Sequence, residues 1–131
     1  MSVEYITSVN GDSYSVEGFI DGKQESDLSL TIMMPSSGWD WYLSHILISD
    51  EYIGRGYSKE LWRRMFKLVE KDQSDFDISR SIFHTDSANT SGGYWNKIGL
   101  HSRRNERNCC TSANSGNYLH VKTQHLKNIM T

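Results

Sequence analysis

Between Tyr42 and Leu61 an apolar run gives way to a polar turn, and the turn opens directly into an amphipathic helix. The chain reads Tyr42-Leu43-Ser44-His45-Ile46-Leu47-Ile48, then Ser49-Asp50-Glu51-Tyr52-Ile53, then Gly54-Arg55-Gly56-Tyr57-Ser58-Lys59-Glu60-Leu61. A strand, a glycine-bearing loop and a helix N-terminus in direct succession form an anion-binding device. Backbone N–H groups without helical partners and the positive end of the helix dipole meet at one spot. A phosphorylated cofactor, if the chain takes one, belongs there.

Three common phosphate-binding patterns do not match. No Gly-Lys-Ser/Thr closes the loop, so it is not a P-loop. A third glycine and a surrounding βαβ unit are missing, which removes the dinucleotide fingerprint. A kinase-type loop needs a second lobe, and 131 residues make one domain, residues 1–131, around one core.

Around this stretch the pattern predicts an α/β (α+β) chain in the order β-β-β-β-α-β-α-β-β. Val3 to Val9 and Ser13 to Ile20 read as strands joined at Asn10-Gly11, and Asp21-Gly22 offers a second turn. Asp27 to Met34 alternates, with Leu28, Leu30, Ile32 and Met34 on one face. Trp41 to Ile48 is apolar on both sides, as in a central strand covered on both faces. Strict alternation there places Tyr42 and Ser44 with Ile46 and Ile48, and His45 opposite. A helix from about Ser58 to Lys71 follows, with Leu61, Met65 and Leu68 in one stripe. Ile78 to His84 reads as a strand, and Tyr94 to Ile98 as a short helix stopped by Gly99. His101 to Cys110 and Asn117 to Gln124 read as a closing hairpin.

Two segments together resemble the acyl-CoA-binding core of the GCN5-related N-acetyltransferases (GNAT). That family joins an apolar strand and a short turn to Arg/Gln-x-x-Gly-x-Gly/Ala at the start of a helix. Here the register reads Ile53-Gly54-Arg55-Gly56-Tyr57-Ser58. Gly56 holds the obligatory glycine, Ile53 stands for the first Arg or Gln, and Ser58 for the last Gly or Ala. Downstream, Ala88-Asn89-Thr90-Ser91-Gly92-Gly93-Tyr94-Trp95-Asn96-Lys97-Ile98-Gly99-Leu100 resembles the family's Asn followed by aromatic-aromatic-x-Lys-Leu-Gly-Phe. The two segments cover roughly residues 41 to 100.

The resemblance implies a mostly antiparallel mixed sheet with a central V-shaped split between the Trp41–Ile48 and Ile78–His84 strands. It implies acetyl-CoA as substrate, lying in that split. Main-chain groups near Ile46, Leu47 and Ile48 would pair with the pantetheine arm, N–H groups over Ile53, Gly54, Arg55, Gly56, Tyr57, Ser58 and Lys59 would hold the pyrophosphate, and Asn89 would complete the site. An amine would attack the thioester directly. In many members a tyrosine of the short second helix protonates the thiolate; that register falls on Trp95, with Tyr94 the nearest phenol. His84 through water, or Tyr42 on the central strand, are the candidate bases. Tyr94 also reads as a core aromatic and His45 as a core or helix-facing histidine, while Asp40 and Glu51 read equally as bases or as solvated loop carboxylates. Arg103-Arg104-Asn105-Glu106-Arg107 reads as a solvated run or a contact for the CoA 3′-phosphate, an acidic partner or nucleic acid.

The acceptor side lacks the one or two helices that family members carry between the first two strands. An open side favours a macromolecular acceptor, a protein lysine or a nucleobase. Compact members of this fold occur among phage-encoded proteins. The rival is a GNAT-fold binding or structural module without catalysis, which Ile53, Ser58 and Trp95 favour; an aminoacyl-tRNA donor is a second. The net charge of −2 speaks against a general nucleic-acid coat without excluding a local contact. A homodimer stays open. No apolar run is long enough to span a membrane and no signal-peptide pattern precedes Tyr5. Cys109 and Cys110 are the only cysteines and are adjacent, so they build neither a disulfide framework nor a metal site, and a reducing cytoplasm is expected.

Overall fold

Alternating side chains organise the sheet. The computed structural model describes residues 2–36, 38–86 and 118–131. Strands β1 (Val3–Asn10), β2 (Ser13–Ile20), β3 (Leu28–Met33) and β4 (Trp41–Ile48) form an antiparallel meander. Asn10 pairs with Ser13, so the hairpin loop is Gly11-Asp12, one residue on from the expected Asn10-Gly11, and its positive φ of 61° falls on Gly11. Asp21 and Gly22 are both left-handed, as a tight turn after β2 requires.

Strand β5 (Ile82–Asp86) joins β4 in parallel, and β6 (Tyr118–Lys122) joins β5 antiparallel, giving the spatial order β1-β2-β3-β4-β5-β6. The β4–β5 ladder holds only Trp41 with Phe83 and Tyr42 with His84. Beyond Tyr42, β4 runs on to Ile48 with no strand on that side among the described residues. This is the expected V-shaped split.

Helix α1 (Tyr57–Asp72) lays Leu61, Trp62, Met65, Phe66 and Val69 on one sheet face. A second helix, α2 (Thr123–Met130), follows β6 and packs beside α1. Leu126 and Met130 join the core there, and Lys127 Nζ reaches Glu70 Oε1 at 2.6 Å. The core fills this one face with Tyr14, Val16, Ile20, Leu28, Leu30, Ile32, Trp41, Phe83 and Val121. Each large side chain so buried contributes about 1.5–3 kcal/mol.

Four further expectations change. The closing strand ends at Lys122 and turns into α2, where the sequence reading ran a strand to Gln124. Ile78–Arg80 is a short 3-10 helix, so β5 starts at Ile82 and His84 lies mid-strand. Strand β4 is not covered on both faces, since Tyr42, Ser44, His45 and Leu47 are exposed. Its alternation also breaks. A bulge shifts the register so that Thr31 faces His45 but Ile32 faces Leu43, leaving Ser44 as the extra residue. Tyr42 therefore shares a face with His45 and Leu47, opposite Ile46 and Ile48. The expected short helix over Tyr94 to Ile98 and the strand over His101 to Cys110 lie outside the described residues.

Candidate functional site

The bulge assembles the site. With Tyr42 turned to the face opposite α1, the ladders line up one row across the sheet: Asn10, Ser13, Met33, Tyr42, His84 and His120. The next row is Ser8, Ser15, Thr31 and His45. Ser15 Oγ and Thr31 Oγ1 lie 3.0 Å apart in it. The row of imidazoles and phenol thus crosses the vertex where β4 and β5 part.

At that vertex the Tyr42 and His84 rings stack, with centroids 4.5 Å apart and planes 7° from parallel. The His120 ring lies 5.9 Å from that of His84. Asp40, just ahead of β4, ties the strands together: Oδ1 accepts the Ile82 N–H at 3.0 Å, and Oδ2 is 3.0 Å from His84 Nε2. One carboxylate thus fixes both the start of β5 and the orientation of an imidazole on it. Asp40, which in the sequence read equally as a base or as a solvated loop carboxylate, is a structural clamp. Its signal was available in retrospect, because a residue just before a central strand sits level with the start of a parallel neighbour. His120 was missed because its ladder partner cannot be read from sequence.

The other end of the split holds the glycine loop. A short 3-10 helix, Asp50–Tyr52, follows β4, and α1 begins at Tyr57. Gly54 and Gly56 have φ of 80° and 86°, a conformation costly for any residue with a Cβ. Gly56 is the N-cap of α1 and brings no side-chain cap. The first helical bond runs from the Glu60 N–H to the Gly56 carbonyl, so the N–H groups of Tyr57, Ser58 and Lys59 precede the ladder. A Cβ built on Gly54 or Gly56 meets nothing within 4 Å.

Tyr52 anchors the loop. It is buried, packs edge-on against Tyr57 with centroids 5.9 Å apart, and its hydroxyl accepts a bond from Lys23 Nζ at 3.1 Å. Lys23 also pairs with Asp27 at 3.2 Å, and its ammonium is pushed up by the bonds to Tyr52 and Asp27. Asp27 in turn accepts from the Ser49 hydroxyl through Oδ1 at 3.1 Å and from the Ser49 N–H through its carbonyl at 2.9 Å. The β2–β3 connection therefore holds the loop that leaves β4. Ile53 is exposed and Arg55 lies over the Tyr52 ring.

Strand β4 thus brings three groups of candidates to one split. Tyr42 and His84 meet at the vertex; Ile46, Leu47 and Ile48 line the unpaired stretch; Ile53 to Lys59 close its far end. Tyr94, Trp95, Asn89, the arginine run and Cys109-Cys110 lie outside the described residues. Among the described residues no cluster of three or more His, Cys, Asp or Glu is placed to hold a metal, and no helix is long and apolar enough to cross a membrane.

A meander that parts from its neighbour at a parallel junction, with a glycine-opened helix after the parted strand, is the fold of the GCN5-related N-acetyltransferases, and this chain has that fold. Tetrahymena GCN5 superposes over 86% of this chain and 69% of its own, with a TM-score of 0.58 at 13% identity. An acyl-CoA N-acyltransferase from Pseudomonas aeruginosa matches over 85% of this chain and 67% of its own, with a TM-score of 0.54 at 14% identity. A KacTA–DNA complex matches over 92% and 74%, with a TM-score of 0.60 at 11% identity. No protein-family model and no curated protein matches the sequence.

Proposed function

We propose that this chain is an acyl-CoA-dependent N-acyltransferase that moves an acetyl group from acetyl-CoA to an amine. The observation that carries the reading is the continuity of β4. One strand supplies the vertex of the split, the unpaired edge from Leu43 to Ile48, and the turn into the left-handed Gly54 and Gly56 at the head of α1. In this reading the pantetheine arm adds to the β4 edge near Ile46, Leu47 and Ile48. The pyrophosphate sits on N–H groups between Ile53 and Lys59, where Gly54 and Gly56 leave open space.

The thioester then lies near Tyr42 and His84. An uncharged amine attacks its carbonyl; the new C–N bond forms, the C–S bond breaks, and the thiolate takes up a proton. His84, oriented by Asp40, receives the amine's proton through water, with Tyr42 as stacking partner rather than base. Tyr94 remains the proposed donor to the thiolate, and Asn89 a proposed cofactor contact. The acceptor is macromolecular, a protein lysine or a nucleobase. What supports this is a two-residue loop between β1 and β2 and a sheet face around Tyr42 and His45 that carries no helix among the described residues.

The test is calorimetric titration of CoA and acetyl-CoA, followed by release of free thiol in the presence of amine acceptors. Gly56→Glu places a carboxylate where the pyrophosphate would sit and should weaken binding about tenfold or more. Gly56→Ala, which adds only backbone strain, controls for folding. No binding at millimolar ligand sinks the proposal. Binding without transfer to any protein or nucleic acid favours the rival, a GNAT-fold module that holds CoA without catalysis.

A further inference from the structure

Among the described residues, strand β1 is an edge of the sheet with little of the usual protection. It reads Val-Glu-Tyr-Ile-Thr-Ser-Val-Asn over Val3–Asn10, with no lysine, arginine or proline and Glu4 as its one charge. Natural sheets blunt such edges with charge, proline or a covering element. Among the described residues nothing pairs with its outer side. Two exposed large apolar side chains lie on this strand, Ile6 at 51% and Val9 at 40% exposure.

The ladder shows which backbone groups face outward. The Asp21 N–H donates to the Ser2 carbonyl at 2.9 Å, which makes Ser2 and Asp21 a bonded pair. Antiparallel pairs alternate, so Glu4, Ile6, Ser8 and Asn10 bond inward to β2. The N–H and C=O groups of Val3, Tyr5, Thr7 and Val9 therefore point away from the sheet.

We infer that β1 pairs antiparallel with β1 of a second copy of this chain, joining the two sheets edge to edge. Only outward-facing residues can exchange bonds across a twofold axis, so the axis must pass through a residue position. Centring it on Ile6 uses all of the outward set: Val3 meets Val9 of the second copy, and Tyr5 meets Thr7. The same register is self-complementary in side chains. Glu4 falls opposite Ser8, so no like charges oppose. Ile6 meets Ile6 as a non-hydrogen-bonded pair, the closer of the two cross-strand spacings. On the opposite face the Val3–Val9 contact covers the other exposed apolar side chain. The inference does not depend on catalysis or on CoA.

The test is sedimentation equilibrium of the full chain, with amide exchange read by NMR. Wild type should dimerise, with the Val3, Tyr5, Thr7 and Val9 amides protected. Ile6→Lys puts two ammonium groups at the axis on an already exposed position. It should weaken dimerisation about tenfold or more while the circular dichroism spectrum and melting temperature hold. Ile6→Glu should do the same, and an equimolar mixture of the two variants should restore the dimer. Three results overturn the inference: a wild-type monomer at millimolar concentration, a dimer indifferent to Ile6→Lys, or a dimer whose outward β1 amides exchange freely.

Discussion

Asp40 does two jobs with one carboxylate. It caps the first N–H of β5 and holds the His84 ring against Tyr42. Removing it leaves the partly buried Ile82 N–H without its acceptor, which costs about 1–3 kcal/mol. Asp40→Ala should therefore lower unfolding stability by about that amount. Asp40→Asn keeps a carbonyl oxygen for Ile82 and should cost far less in the same denaturant titration. If both variants are equally stable, the clamp is not holding the β4–β5 junction. At this scale the sequence showed the ring but not its support. His84 was recognisable as a candidate from its place near the split, whereas Asp40 looked like any loop carboxylate. Tyr42 was assigned to the wrong face for a reason that is itself informative. Leu43, Ile46 and Leu47 are apolar at both parities, so the run carries no mark of where Ser44 interrupts it.

Elements were legible in proportion to the length of their pattern. Helix α1 repeats its apolar stripe over several turns, and its bounds fell within a residue of those expected. The Asp21-Gly22 turn was marked by residues that accept positive φ; in the β1–β2 hairpin only Gly11 has it, and the loop is Gly11-Asp12 rather than Asn10-Gly11. Helix α2 was overlooked because it is short and starts without a capping side chain, its N-cap being Lys122. Its only helical signature is Leu126 followed by Ile129 and Met130, easily absorbed into the end of a strand. Its docking is nonetheless specific. The Thr123 N–H donates to the Ser81 carbonyl at 3.1 Å, and the Thr123 and Ser81 hydroxyls lie 2.6 Å apart in the interior. Leu126, fully buried, is the apolar centre of this contact. Leu126→Ala should cost about 2–5 kcal/mol in urea unfolding, far more than a substitution at an exposed α2 position such as Gln124→Ala. Equal effects at both positions would mean that α2 is not part of the cooperative core.

Taken whole, the molecule is a sheet with both described helices on one face, and α1 is fastened to the sheet at each end. Its N-terminal loop is held by Tyr52 and Lys23, and its C-terminal end by Tyr14. The Tyr14 hydroxyl donates to Asp72 Oδ2 at 2.7 Å and accepts from Gln73 Nε2 at 3.3 Å. Burial, chiefly, and then the bond to the Asp72 carboxylate push the Tyr14 phenol above its ordinary value, against a smaller opposing pull from Gln73. The sign of the stability effect follows. The folded chain keeps this proton at a pH where the unfolded chain has begun to lose it. The stabilisation is therefore complete below about pH 10, where an unfolded tyrosine titrates, and is lost as pH climbs through the raised folded value. Tyr5, raised mainly by its own burial, adds a parallel contribution. Unfolding free energy measured by urea titration should fall as pH rises above about 10. Tyr14→Phe should be about 1 kcal/mol less stable at neutral pH, since a hydrogen bond is gone. It should also lose stability less steeply on the alkaline side, with Tyr5 left to account for part of the remaining slope. The difference between the two curves isolates Tyr14 from the general effect of lysine deprotonation, which both proteins share. Parallel curves across the alkaline range would show that the Tyr14–Asp72 bond does not couple the far end of α1 to the sheet.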